Sequence, residues 1–160
     1  MGRADLAKSS CPVSRAIERL GDPWVLMILR EAFLGVRRFD DFQLQTGASP
    51  HLLSQRLKRL CADGILQRRA YSTHPPRYEY LLTQQGRDLW PLIMALRTWG
   101  QTWLGGSSVT LTHRGCGRRI DPVMACPECG EALTARDVVA EISDDFRQER
   151  KRRKGKGGTE

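Results

Sequence analysis

The sequence has neither a long apolar run nor a recognisable leader, and each absence removes a class of protein. Its longest strongly apolar run, Trp24 to Leu29, is far too short to cross a bilayer. Met1 to Ser10 is polar and holds no apolar core of a secretory signal. The Met-Gly start carries Leu6 where a myristoylated chain has Ser or Thr. Cysteine is sparse, five in 160 residues. Without a secretory leader, these five are expected to be thiols or metal ligands, not a disulfide framework. No catalytic triad, phosphate loop or carboxylate pair is legible, which argues against an enzyme and leaves no catalytic residue to name. These absences predict a soluble, cytoplasmic protein with no membrane partner.

What is present points to a polyanion. Lys and Arg number 26 against 18 Asp and Glu, a formal charge of +8. Hydrophobic residues make up 40%, enough for a real core. The length suits one domain of ordinary size with a small appendage. A basic balance favours polyanionic partners but says nothing of fold.

The stretch from Ser49 to Leu82 is the most informative. Ser49 is a good N-cap, Pro50 fits the first helical position, and Gly64 stands where a left-handed residue ends a helix. Leu53, Leu57 and Leu60 form one apolar stripe. At about 100° per residue, His51, Gln55, Lys58 and Arg59 fall opposite it, with Ser54 at the flank and Arg56 near the core edge. That face offers the hydrogen bonds and positive charge that base edges and phosphates require. Ile65–Tyr71 and Arg77–Leu82 then read as a hairpin, with prolines in the tip from Ser72 to Pro76. Arg68, Arg69, His74 and Arg77 line it with basic groups, and Arg37 and Arg38 add to the local excess. A polar-faced helix followed at once by a basic hairpin suggests a winged helix-turn-helix on double-stranded DNA. An ordinary solvated helix face and hairpin is the plainer alternative.

The rest of the body fits this plan. Cys11-Pro12 opens a helix with Val13, Ala16, Ile17 and Leu20 on one face, ended by Gly21. Asp22 caps the next, and its wide apolar arc predicts a central position in the core. Val36 to Phe39 suggests a small strand, and Asp40 an N-cap for a helix over Asp41–Thr46 with Phe42 inward. Gly47-Ala48 makes the turn into the Ser49 helix. After the hairpin, Thr83 caps a longer helix, which Pro91 kinks or divides. Leu89, Leu92, Ile93, Leu96, Trp99 and Trp103 form its stripe. A body this small has limited core to cover so much apolar surface, so this element is read as a homodimerisation helix.

Gly105 to Ser108 reads as a linker, and beyond it the chemistry changes. His113 and Cys116 are separated by two residues, as are Cys126 and Cys129. Three thiolates and one imidazole are a suitable set for a closed, structural, tetrahedral Zn2+ site, with a reactive dithiol at Cys126 and Cys129 as the alternative. From Asp144 the chain is polar and strongly basic, the composition of a disordered tail.

These residues together resemble the HxlR family of bacterial winged-helix transcription regulators, relatives of the MarR group. The likeness covers about Cys11 to Leu104. It is carried by Cys11-Pro12-Val13, Gly21-Asp22-Pro23-Trp24, Arg37-Arg38-Phe39-Asp40, Ser49-Pro50, Leu53-Ser54-Gln55-Arg56-Leu57, Pro75-Pro76-Arg77-Tyr78-Glu79-Tyr80 and Leu82-Thr83. The His113 to Cys129 cluster looks like the cysteine-rich extension of some members. The resemblance implies a regulator acting as a dimer on a pseudo-palindromic operator, with the Ser49–Ala62 helix and the hairpin as reading elements. Cys11 matches a position that looks like a sensor of oxidants or electrophiles, implying an oxidant or small-molecule effector.

The resulting expectation is a mainly helical α+β chain. It has a flexible arm (1–10), a winged helix-turn-helix DNA-binding and dimerisation domain (11–106), a zinc-ribbon-like module (107–142) and a disordered basic tail (143–160). The rival reading is a zinc-ribbon module for protein or RNA interaction on a winged-helix scaffold.

Overall fold

The computed structural model describes residues 3–106 and 109–156. Residues 107–108 of the predicted linker, 157–160 of the predicted tail and the first two of the predicted arm lie outside the described residues. Helices α1 (Arg3–Ala7), α2 (Pro12–Leu20), α3 (Pro23–Phe33), α4 (Phe39–Thr46) and α5 (Pro50–Ala62) lead to an antiparallel hairpin, β1 (Leu66–Thr73) and β2 (Pro76–Leu82). Then follow α6 (Gln84–Arg87), α7 (Trp90–Trp103), the short pair β3 (Leu111–Thr112) and β4 (Arg119–Ile120), and α8 (Asp144–Lys156). About half of the chain is helical, the α+β winged helix-turn-helix plan. Among the described residues no helix is long and apolar enough to cross a membrane.

Two compact units divide the chain, Met1–Ala95 and Leu96–Glu160. The core of the first is built where the apolar stripes meet. Val25, Ile28 and Leu29 of α3, Phe42 of α4 and Leu53, Leu57 and Leu60 of α5 are all buried. Ile65 and Leu66 close it from the hairpin, and Ile93 and Met94 from α7. Each such side chain contributes roughly 1.5–3 kcal/mol by leaving water. Phe42 meets Tyr80 edge to face at 6.5 Å, tying α4 to the hairpin. Arg38 bridges Glu79 and the Tyr80 amide donates to the Arg37 carbonyl at 2.8 Å, so the expected third strand is a single bridge.

The chain's punctuation accounts for most boundaries. Asp22 accepts from the Trp24 and Val25 amides, Ser49 from Leu52, and Thr83 from Gly86. Gly47 and Gly64 adopt φ of 70° and 73°, the left-handed turn expected after a helix. Pro91 divides the last stretch of the body into α6 and α7, since it tolerates only the start of a helix.

Four expectations are corrected. The predicted flexible arm contains α1, with Ser9 buried and the Arg15 guanidinium donating to the Ser9 and Ser10 carbonyls at 2.8 and 3.1 Å. The α4 N-cap is Arg38, not Asp40; Asp40 and Asp41 occupy the first turn, where the helix dipole favours acids. The hairpin runs through Thr73 to a pairing with Pro76, because proline is tolerated at the start of an edge strand. Asp144 to Lys156 is helical, not disordered. Ser143 receives the Phe146 amide, Asp144 pairs with Arg147 at 2.9 Å, and Glu149 pairs with Arg153. Acids at the start, bases at the end and pairs one turn apart favour a helix without an apolar face.

The unit boundary also falls at Ala95, inside α7, and not at Gly105-Gly106. The reason is Arg97. Its guanidinium donates to Asp121 at 2.9 Å and to the Val109 carbonyl at 2.7 Å, so the end of α7 belongs with the appendage.

Candidate functional site

The α4–turn–α5 segment sets a polar helix face on a fixed base. Thr46 back-bonds to the Phe42 carbonyl at 2.7 Å and receives the Ala48 amide, and Ala48 is buried. The left-handed Gly47 therefore fixes the angle between the helices. With three leucines of α5 locked in the core, His51, Gln55 and Lys58 are exposed on the other side, with Ser54 half-buried beside them. The Gln55 amide nitrogen stands 2.8 Å from His51 Nε2, which pre-positions both polar ends. Ser49 and Pro50 form the exposed start of the helix.

Two of the predicted reading residues are turned inward. Arg56 Nε donates to Asp22 Oδ2 at 2.9 Å, and its Nη2 lies 2.8 Å from the same oxygen. Arg59 Nη2 donates to the Glu18 carbonyl at 3.0 Å and its carboxylate at 2.8 Å, and Arg59 Nε lies 3.5 Å from Asp63. Both guanidiniums clamp α5 to the elements before it. The expectation that Arg59 shares the outer face is thus corrected: it lies at the edge, and Glu18 draws it back.

β1 is exposed at most positions beyond Leu66 and β2 from Pro76 to Tyr78, as a projecting wing requires, while Glu79 to Leu82 at its base are half-buried. Arg68 stacks over the Tyr78 ring at 3.4 Å and Arg69 pairs with Glu79, donating from Nε at 2.7 Å. Arg38 lies over Tyr71 at 4.8 Å. Rings and a carboxylate thus hold three of the basic side chains in defined positions. His74 and Arg77 lie exposed at the tip, with His74 Nδ1 3.2 Å from the Thr73 hydroxyl. Arg37 is exposed and lines a hollow of about 410 Å³ with Arg69, Tyr80 and Arg87.

The five cysteines fall into two environments. Cys11 is half-buried and is the N-cap residue of α2, its amide donating to the Ser9 hydroxyl at 3.1 Å. Cys61 is half-buried, and burial pushes its thiol pKa up despite the charge of Arg68. The other three belong to the appendage. His113 Nδ1 lies 3.3 Å from Cys116 Sγ. The amides of Cys129 and Glu128 and the Cys129 thiol turn on the Cys126 sulfur and lower its pKa. Each predicted pair is therefore assembled. Among the described residues, however, no group of three or more His, Cys, Asp or Glu side chains is gathered for a metal. The four donors are brought together only as two separate pairs.

Sequence reasoning did not find Asp22 and Glu18 as anchors of the reading helix, nor Tyr78 as the seat of Arg68. Asp22 was legible only as a cap. Its partner lies 34 positions away, and no local pattern carries that.

Comparison with known proteins converges on one group. A family model described as HxlR-like helix-turn-helix matches residues 19–108. An HTH-type transcriptional regulator of Mycobacterium tuberculosis, Rv3095, is 44% identical over 138 residues, covering 84% of this chain and 87% of that one. Among solved structures, PA1607, described as a candidate transcription factor, is 34% identical with a TM-score of 0.74. It covers 88% of this chain and 99% of its own. The reduced form of the redox regulator HypR is 31% identical with a TM-score of 0.54, over 57% of this chain and 92% of that one.

Proposed function

This chain belongs to the HxlR-like helix-turn-helix family and is a transcriptional regulator of that type; on that premise we propose that it binds a pseudo-palindromic operator as a homodimer. The observation that carries the reading is the α5 face: exposed His51, Gln55 and Lys58 on a helix whose other side is locked in the core. In this reading α5 enters the major groove, where Gln55 contacts a base edge and Lys58 a phosphate or guanine. Arg68, His74 and Arg77 of the wing lie along the neighbouring backbone, and Arg56 and Arg59 position the helix. No catalytic role is assigned to any residue. The rival reading, an interaction module for protein or RNA, is not favoured, because the relatives are named transcriptional regulators.

The test is footprinting on the upstream region of its own gene, followed by titration of variants. Gln55→Ala is expected to cost about 1–3 kcal/mol on the operator and to relax one base position. Lys58→Ala is expected to weaken binding as well. Unchanged operator affinity in the double variant would refute the reading.

Oxidant response is the finer part of the proposal. Cys11 begins α2, where the helix dipole stabilises a thiolate, and HypR, a structural neighbour, is a redox regulator. Modification of Cys11 would disturb the start of a helix whose Val13 and Ile17 are exposed. Peroxide is expected to change operator binding by the wild type and to leave Cys11→Ser unaffected. Equal sensitivity of the two proteins would remove Cys11 from sensing.

A further inference from the structure

We propose that His113, Cys116, Cys126 and Cys129 hold one structural Zn2+ per chain, and that the metal takes the place of a hydrophobic core in the Leu96–Glu160 unit.

Two observations carry this independently. The first is that the two ligand pairs sit on hairpin tips of the same construction. At the first, the His113 amide donates to the Arg118 carbonyl at 2.9 Å and the Gly117 amide to the His113 carbonyl at 2.8 Å. At the second, the Cys126 amide donates to the Glu131 carbonyl at 2.8 Å and the Gly130 amide to the Cys126 carbonyl at 2.8 Å. The spacing of donor and acceptor is identical. Each tip ends on a left-handed glycine, Gly117 at φ 68° and Gly130 at φ 76°. Each is closed by antiparallel pairing, Leu111 with Ile120 and Thr112 with Arg119 in one, Ala125 with Ala132 in the other. The effect is to draw the first and fourth side chains of the tip together: His113 onto Cys116, and Cys129 onto Cys126. Among the described residues the donors stand gathered only as these two pairs; both pincers closing on one ion would supply the four ligands of a tetrahedral site with no open position.

The second observation is energetic. Among the described residues of the unit there is no buried hydrophobic side chain; the last core residue along the chain is Met94. Val123, Met124, Val138 and Val139 are all exposed. A small unit without a core needs a staple, and no disulfide is present among its cysteines. Metal binding can supply the folding free energy that burial does not.

On binding, three thiols give up their protons to solvent and bond through sulfur, while neutral imidazole donates a nitrogen lone pair. Zn2+ with three thiolates leaves the centre with a net charge of about −1, and no electron is transferred. A metal of this kind holds the fold and performs no reaction.

The experiment uses the full chain, reduced and untagged. Elemental analysis should give one zinc per chain. After removal of zinc, titration with Co2+ should give the visible d–d bands of a tetrahedral ion and a sulfur-to-cobalt charge-transfer band, saturating at one equivalent. Cys126→Ser and Cys129→Ser should each weaken the charge-transfer band by about a third and lower affinity for Co2+ at least tenfold, whereas Cys11→Ser and Cys61→Ser should match the wild type. Hydrogen exchange should show protection in residues 109–142 lost with the metal and protection in α3 and α5 retained. Absence of zinc with no tetrahedral cobalt spectrum overturns the proposal. So does a spectrum that Cys126→Ser leaves unchanged, or one that Cys61→Ser abolishes. If a variant fails to fold, the wild-type cobalt spectrum alone decides.

Discussion

Asp22 shows how much one side chain settles here. It caps α3 through the Trp24 and Val25 amides at 3.0 and 3.3 Å and anchors Arg56 from α5. Burial pushes its pKa up, but the Arg56 hydrogen bond and charge and the two amides outweigh burial and hold it below the ordinary 3.8. A depressed carboxylate contributes stability that is present above its unfolded pKa and lost as pH falls through the folded one. Asp22→Asn keeps the cap and removes the charge. It should cost about 1–2 kcal/mol at neutral pH by urea melts. The gap from the wild type should close as the pH falls below 3.8. A gap independent of pH would show that the charge is idle. The cap itself was legible, because Asp before Pro at a helix start is a local signal. The partners of Arg56 and Arg59 were not, because they depend on how three helices pack.

At the scale of elements, helix ends were the most legible feature. Ser49, Thr83, Gly47 and Gly64 act where their chemistry predicts. At α8 composition alone predicts disorder, and spacing decides for a helix, since Asp144 and Glu149 each find an arginine one turn on. The wing makes a different kind of contribution from α5. Arg77 is exposed at its tip and pairs across the strand with Ser72, not with an acid. Arg77→Ala should weaken binding to all sequences alike and lower the slope of log affinity against log salt by about 1. Mobility-shift titrations at several salt concentrations measure this; a sequence-dependent loss with an unchanged slope would count against a backbone role.

At the scale of the whole molecule, the most exposed large side chains of α7 form one stripe. Leu92, Leu96, Trp99 and Trp103 recur at spacings of four, three and four, with exposure rising from 39% at Leu92 to 72% at Trp103. That is the spacing of a helix–helix seam, and so large an apolar stripe in water is costly. The sequence made the stripe legible but not its division, in which Ile93 and Met94 face the core. If the stripe is the homodimer seam, Leu96→Ser with Trp99→Ser should give a monomer in sedimentation and lose at least tenfold in operator affinity. A dimer that survives both changes would place the seam elsewhere.

The inward turn of Arg56 and Arg59 has a mechanical consequence. Arg59 joins the reading helix to the end of α2, and Arg56 joins it to the start of α3, both through half-buried charges. The three helices are therefore pinned to one another, as the parts of a lever are. A tilt of α2 would then reach α5 through the Glu18–Arg59 pair. In the homodimer proposed above, two such levers would face one duplex as a caliper whose gap has to match one turn of DNA, and the clamps would set how stiffly the jaws are held.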